Sequence, residues 1–216
     1  MNAPETTTVD RETAYGEEAL TIVDRFGVHL SRRAVERVVG SRSGLVALDL
    51  GCGFHATLLR ALLPRLESGV GVDLRVSDQA KAVGRLTFVE TTVEDALGSM
   101  AAGSFDLVML MSVLEHLSEP LAVLSETRRV VRRGGLVLIN VPTWRGKELL
   151  EFSAFRLGTS PACEMDDHKM YFDKRDLWPM LVRAGFRPRG VRLRYHKFGL
   201  NLFAVARVEA AGDREG

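Results

Sequence analysis

The feature that most constrains this chain is Leu45-Val46-Ala47-Leu48-Asp49-Leu50-Gly51-Cys52-Gly53, an apolar run without helical period that stops at a Gly-Cys-Gly turn. Helix-forming residues follow at once: Ala56, Leu58, Leu59, Ala61, Leu62 and Leu63. A continuous apolar run reads as a parallel strand buried on both faces. Strand, glycine turn and helix together are how open α/β sheets build ligand sites. Glycine lacks Cβ, so the chain can reverse sharply there and a ligand can reach the main chain.

The remaining segments are read against that unit. Residues 1–12 are polar and Thr-rich and are expected to be disordered. Residues 15–40 are expected to form a helical cap, because Ala19, Leu20, Ile22, Val23, Phe26, Leu30, Ala34, Val35 and Val38 recur at steps of three or four. Gly27 is read as dividing this cap into two helices. Pro64 and Ser68-Gly69 read as a turn before a short strand, Val70 to Leu74. Leu86 to Glu90 and Phe105 to Met111 are the next strands, and Thr92-Val93-Glu94-Asp95 has the order of a helix start. A helix from Glu119-Pro120 through Val130 is expected to stop at Gly134-Gly135, ahead of a fifth strand, Leu136 to Val141. Residues 143–170 break the rhythm as an insert or lid. A helix then runs from Asp173 to Ala184, and Val191–Phe198 and Asn201–Val208 follow with a connection short enough to require an antiparallel hairpin. The expected fold is α/β: a Rossmann-like, doubly wound, seven-stranded mixed sheet with a C-terminal antiparallel hairpin. Residues 1–216 make one domain, with 210–216 as a tail.

With 216 residues and a formal net charge of +1, the chain has no overall basic excess for nucleic acid. Its basic clusters, at Arg128 to Arg133 and Arg183 to Lys197, read as a solvated helix end and a polar strand face. Cys52 and Cys163 form no disulfide pattern, which fits a reducing compartment. No apolar leader or membrane-spanning run is visible. A cytoplasmic protein without nucleic-acid or membrane partners is expected, and self-association as a homodimer stays open.

Ligands in such sheets bind beyond the C-terminal strand ends. Those ends hold Asp49, Gly51, Gly53, Asp73, Leu74, Thr92, Val93, Glu94, Met111, Ser112, Glu115, His116, Asn140 and Pro142. Asp73 follows Gly51 by 22 residues, near the spacing of about 20 at which an acid accepts ribose hydroxyls. Asp49 would repel a pyrophosphate at the turn and attract a cation. That argues against a dinucleotide and for a ligand with positive charge.

Leu48-Asp49-Leu50-Gly51-Cys52-Gly53 resembles the first motif of class I S-adenosylmethionine-dependent methyltransferases. Gly71-Val72-Asp73, Thr92-Val93-Glu94-Asp95, Phe105-Asp106-Leu107-Val108 with Ser112-Val113-Leu114-Glu115-His116-Leu117, and Arg133-Gly134-Gly135-Leu136-Val137 continue the resemblance in order. The Glu-His-Leu and Gly-Gly elements are similar to the small-molecule branch, methyltransferase type 11, which holds the ubiquinone-biosynthesis-like enzymes. The resemblance implies S-adenosyl-L-methionine as cofactor. Its amino-acid end would lie at Asp49, Gly51, Cys52 and Gly53, its ribose on Asp73, and its adenine among Leu74, Val93, Glu94, Met111 and Ser112. It implies in-line methyl transfer to an O, N or C nucleophile of a small acceptor; oxygen is the expected atom, and His116, just beyond the fourth strand, is the candidate base.

Trp144, Phe152, Phe155, His168 and Tyr171, in or beside the insert, are the acceptor-pocket candidates. Glu164, Asp166, Asp167 and His168 are close in sequence, but neighbours in one loop rarely converge on a metal, and no metal is expected. Gly51-x-Gly53-x-x-Ala56 also satisfies a loose dinucleotide fingerprint. An NAD(P)-dependent oxidoreductase is therefore the rival enzyme, and a non-catalytic nucleotide-binding module the rival of another class.

Overall fold

The computed structural model describes residues 22–147 and 169–209, and side chains from residue 25 onward within them. Seven strands form one sheet: β1 (Leu45–Leu50), β2 (Leu66–Asp73), β3 (Leu86–Glu90), β4 (Phe105–Met111), β5 (Val131–Pro142), β6 (Val191–His196) and β7 (Asn201–Arg207). Their order is β3-β2-β1-β4-β5-β7-β6. Strands β1 to β5 run parallel, while β7 is antiparallel to both β5 and β6. The strand order reverses between β1 and β4, so the glycine turn lies at the topological switch point.

The helices are α1 (Ile22–Val39), α2 (Thr57–Ala61), α3 (Asp78–Lys81), α4 (Val93–Ser99), α5 (Pro120–Val130) and α6 (Lys174–Arg183). They cover the two faces in separate layers. Ala34, Val35 and Val39 of α1, Leu59 of α2 and Ala80 of α3 pack with Ala47, Met109, Leu138 and Phe203. Leu97 of α4, Leu124 of α5 and Leu177 and Leu181 of α6 pack with Leu48, Leu50, Leu110 and Ile139 on the other face. Side chains alternate along a strand, so Asp49 shares the α1–α3 face with Ala47.

Three expectations about glycine need correction. Helix α1 passes through Gly27 without a break. A mid-helix glycine costs about 1 kcal/mol, and the buried stripe of Ala34, Val35 and Val39 outweighs it. Ser68-Gly69 is no turn but lies inside β2, which begins at Leu66. A Cβ at Gly69 would fall 2.8 Å from Leu86 and 3.1 Å from Leu59, so close packing is what demands glycine there. Gly134-Gly135 does not stop a helix either, because α5 ends at Val130 and β5 begins directly at Val131. The pairing with β4 shifts register between Phe105 and Leu107, opposite this glycine pair, as at a β-bulge.

The β6–β7 connection is a 3-10 turn, Lys197–Gly199, in which Lys197, Phe198 and Gly199 all have positive φ (47°, 60° and 88°). It is tied to the end of β5. Thr143 N–H donates to Leu200 O at 2.9 Å, and its hydroxyl donates to Gly199 O at 2.8 Å.

Candidate active site

The turn after β1 is built from main chain. Gly51 and Gly53 have φ of 70° and 74°, and Ala56 enters α2 from a left-handed conformation at 46°. The N–H groups of Gly51 and Cys52 both donate to Val72 O, at 2.8 and 3.0 Å. A Cβ on Gly51 would lie 2.5 Å from Cγ2 of Val113, so any side chain here must displace Val113 as well as adopt a strained backbone. The turn is closed from β2 by Asp73. One oxygen of its carboxylate accepts from Gly53 N–H at 2.7 Å and the other from Leu74 N–H at 2.9 Å. Asp73 therefore shapes the turn, a role its spacing alone did not reveal.

Asp49 is in a different state. It is 1% exposed, and neither carboxylate oxygen has a hydrogen-bond partner. Burial, and after it the negative charge of Asp73, push its carboxyl up to about 8. Its register partners are Gly71 on β2 and Met109 on β4. Cys52, the described cysteine, is buried and reduced. Burial and the charges of Asp49 and Asp73 raise its thiol well above the usual range, which makes it a packing group and no nucleophile.

Of the remaining sites expected from the sequence, those among the described residues follow the C-terminal ends of the strands. Leu74 follows β2 half-buried. Thr92 caps α4, accepting from Asp95 N–H at 3.2 Å and donating to the Asp95 carboxylate at 2.9 Å. That commits its hydroxyl, while Glu94 stands exposed in the first turn of α4. Val93 packs its side chain against the core, so its main chain is what it offers. Met111 ends β4 half-buried. Ser112 then turns with φ 63°, its N–H donating to Asn140 O at 2.8 Å and its Oγ accepting from Asn140 Nδ2 at 3.3 Å.

His116 is half-buried in the 3-10 turn Leu114–His116. Its neighbour Glu115 is 1% exposed, and the Glu115 carbonyl accepts from the N–H groups of Lys169 and Met170 at 2.8 and 3.3 Å. Lys169 in turn donates to Ser118 Oγ at 2.9 Å. These bonds bring the far end of the insert against the turn after β4. At the near end, Trp144 is half exposed and packs against buried Tyr171 with ring centroids 5.6 Å apart. Lys147 Nζ sits 6.0 and 5.9 Å from the two rings. Lys147 was missed in the sequence, although its position three residues after Trp144 places both on one face of a helical turn. Phe152, Phe155 and His168 lie outside the described residues, as do Glu164, Asp166 and Asp167. Among the described residues no group of three or more His, Cys, Asp or Glu could hold a metal ion, and no helix is long and apolar enough to cross a membrane.

Comparison with known proteins fits this arrangement. Residues 48–139 match the family described as a methyltransferase domain. A ubiquinone biosynthesis O-methyltransferase of Nitrosomonas europaea is 31% identical over 115 residues, covering 49% of this chain and 47% of that protein. A second, from Leptothrix cholodnii, is 29% identical over 125 residues, 54% of this chain and 52% of its own length. The chain thus spans about half the length of the curated relatives it matches. Among solved structures, a SAM-dependent methyltransferase from Aquifex aeolicus superposes with a TM-score of 0.59 at 16% identity, covering 83% of this chain and 90% of that one. The YcgJ protein of Bacillus subtilis gives 0.61 at 16%, covering 84% and 100%. At such identities the shared property is the fold.

Proposed function

We propose, from the methyltransferase-domain match over residues 48–139, that the chain is a class I S-adenosylmethionine-dependent methyltransferase that transfers a methyl group to an oxygen of a small-molecule acceptor. The observation that carries the reading is Asp49, a buried carboxyl without a partner beside a glycine turn whose shape Asp73 fixes. A cationic amino-acid nucleoside suits that site, because its ammonium brings the hydrogen-bond donors and counter-charge that the buried carboxyl lacks. The cofactor of this domain class, S-adenosyl-L-methionine, supplies a methyl group already activated on a sulfonium. Oxygen as the attacking atom rests on the O-methyltransferases among the relatives.

The protein's own share is binding and alignment. Asp49 and the main chain of Gly51, Cys52 and Gly53 hold the amino-acid end. Asp73 takes the ribose hydroxyls, and Leu74, Val93, Glu94, Met111 and Ser112 enclose the base. Trp144 and Tyr171 provide an apolar wall for the acceptor, which orients it and keeps water from its nucleophile. His116 stands beyond β4 to accept the acceptor's proton, since an imidazole exchanges protons near neutrality. The setting is cytoplasmic, and sedimentation equilibrium decides between monomer and homodimer.

The test is incubation with methyl-labelled S-adenosylmethionine and a metabolite extract, with mass spectrometry of the products. A labelled O-methyl product is expected, and its yield should fall at least tenfold in the His116→Ala variant. Saturable NAD binding with none for S-adenosylmethionine would overturn the reading in favour of the oxidoreductase. Cofactor binding without turnover on any extract would favour the non-catalytic module.

A further inference from the structure

We propose that Asp49 carries a proton in the empty domain and gives it up when the ammonium of a bound amino-acid nucleoside docks beside the glycine turn, so that cofactor binding and proton release are one event. This rests on the proposed methyl-donor site and adds a linkage to it.

The argument begins with what surrounds the carboxyl. Asp49 is 1% exposed, and neither oxygen receives a hydrogen bond. Its strand neighbours at the same level are Gly71, which has no side chain, and Met109, which has no donor. The titratable groups facing it from adjoining elements are Asp73 at the end of β2 and Cys52 in the turn. The first repels a negative charge on Asp49, and the second is a thiol that burial above all keeps protonated. Among the described residues, no cation is among the groups acting on Asp49. An ionised carboxylate stripped of water, donors and counter-charge is the costliest state of this side chain, and the neutral acid avoids most of that cost. The upward shift of its titration to about 8 agrees with the geometry.

A docking cation changes that balance. An ammonium brings both a counter-charge and hydrogen-bond donors, each of which favours the carboxylate. The O–H bond of Asp49 breaks, its proton passes to the buffer, and the ligand's ammonium keeps its own protons. In the empty domain the acid form persists up to about pH 8. Affinity should therefore rise about tenfold per pH unit from pH 6 upward, since the binding equilibrium includes one released proton, pass through a maximum near pH 8, and fall above it as the ligand's own α-ammonium deprotonates. S-adenosylhomocysteine, which retains the amino-acid end, should behave alike. 5′-Methylthioadenosine, which lacks it, should bind without pH dependence.

Calorimetric titration of the full chain at pH 7, in buffers of different ionisation enthalpy, counts the protons. Close to one released proton is expected for S-adenosylmethionine and none for 5′-methylthioadenosine. The Asp49→Asn variant should bind S-adenosylmethionine at least tenfold more weakly at pH 8, with no proton release. Should that variant fail to fold, carbonyl-labelled aspartate in the wild-type chain, followed by carbon NMR without ligand, reports the Asp49 titration directly. Saturable S-adenosylmethionine binding without proton release, equal release for both nucleosides, or an Asp49 carboxyl titrating near pH 4 in the empty domain each overturn the proposal and leave the methyl-donor reading standing. Absence of S-adenosylmethionine binding overturns both.

Discussion

Two turns at the same edge of the sheet bend the chain through left-handed backbone, and they do so in opposite ways. After β1 the bend uses Gly51 and Gly53, is largely buried, and is pinned by the Asp73 carboxylate. Between β6 and β7 it uses Lys197 and Phe198 ahead of Gly199, and Phe198 stands 84% exposed. A non-glycine residue in this conformation costs about 1–2 kcal/mol. The first turn pays nothing of that kind at its glycines and spends its precision on a ligand. The second is forced into shape by its anchor on Thr143, and its strained residues are held from outside.

The contrast can be broken at three points. Gly51→Ala should have the largest effect, because the new Cβ meets Val113 at 2.5 Å and the backbone stays at φ 70°. Overpacking and strain together should cost about 3 kcal/mol, read as a fall in the urea midpoint, and cofactor binding should be lost with it. Thr143→Val keeps shape but removes the hydroxyl that donates to Gly199 O and accepts from Gly146 N–H at 3.1 Å. Leaving those groups without a partner should cost about 2 kcal/mol, while cofactor affinity stays within twofold. A large loss of cofactor affinity there would mean that the two turns are not independent. The smallest effect is expected at Phe198→Asn, which eases the backbone and sacrifices little packing. Stability should rise by about 0.5 kcal/mol, since Asn tolerates this region better. Destabilisation instead would show that the exposed ring is engaged.

The same contrast explains what the sequence disclosed. The first turn was legible because glycine is its own signature, and Asp49 because a charge stands at the end of an apolar run. The second turn carried one glycine, and nothing in Lys197-Phe198 announces positive φ, since the anchor of Gly199 lies 56 residues away at Thr143. The strands β1, β3 and β4 were legible from their apolar runs. The start of β2 was hidden by Ser68-Gly69 and that of β5 by Gly134-Gly135, where glycine serves close packing or a bulge. The double role of Asp73 was invisible for a related reason. Spacing predicts where a carboxylate stands, but only the folded turn shows which N–H groups it closes.

The placement of β7 has a consequence for how the molecule is made. This last strand of the sheet pairs with β5 over seven residues and separates it from β6, which precedes it in the chain. During synthesis, β5 leaves the ribosome with one side unpaired, and that side is filled only after residue 207 has emerged. Until then the nascent chain exposes a long apolar edge, the kind that invites pairing with another copy. A message broken before the hairpin would therefore yield a sticky fragment, even though every proposed cofactor-binding residue is already present in it.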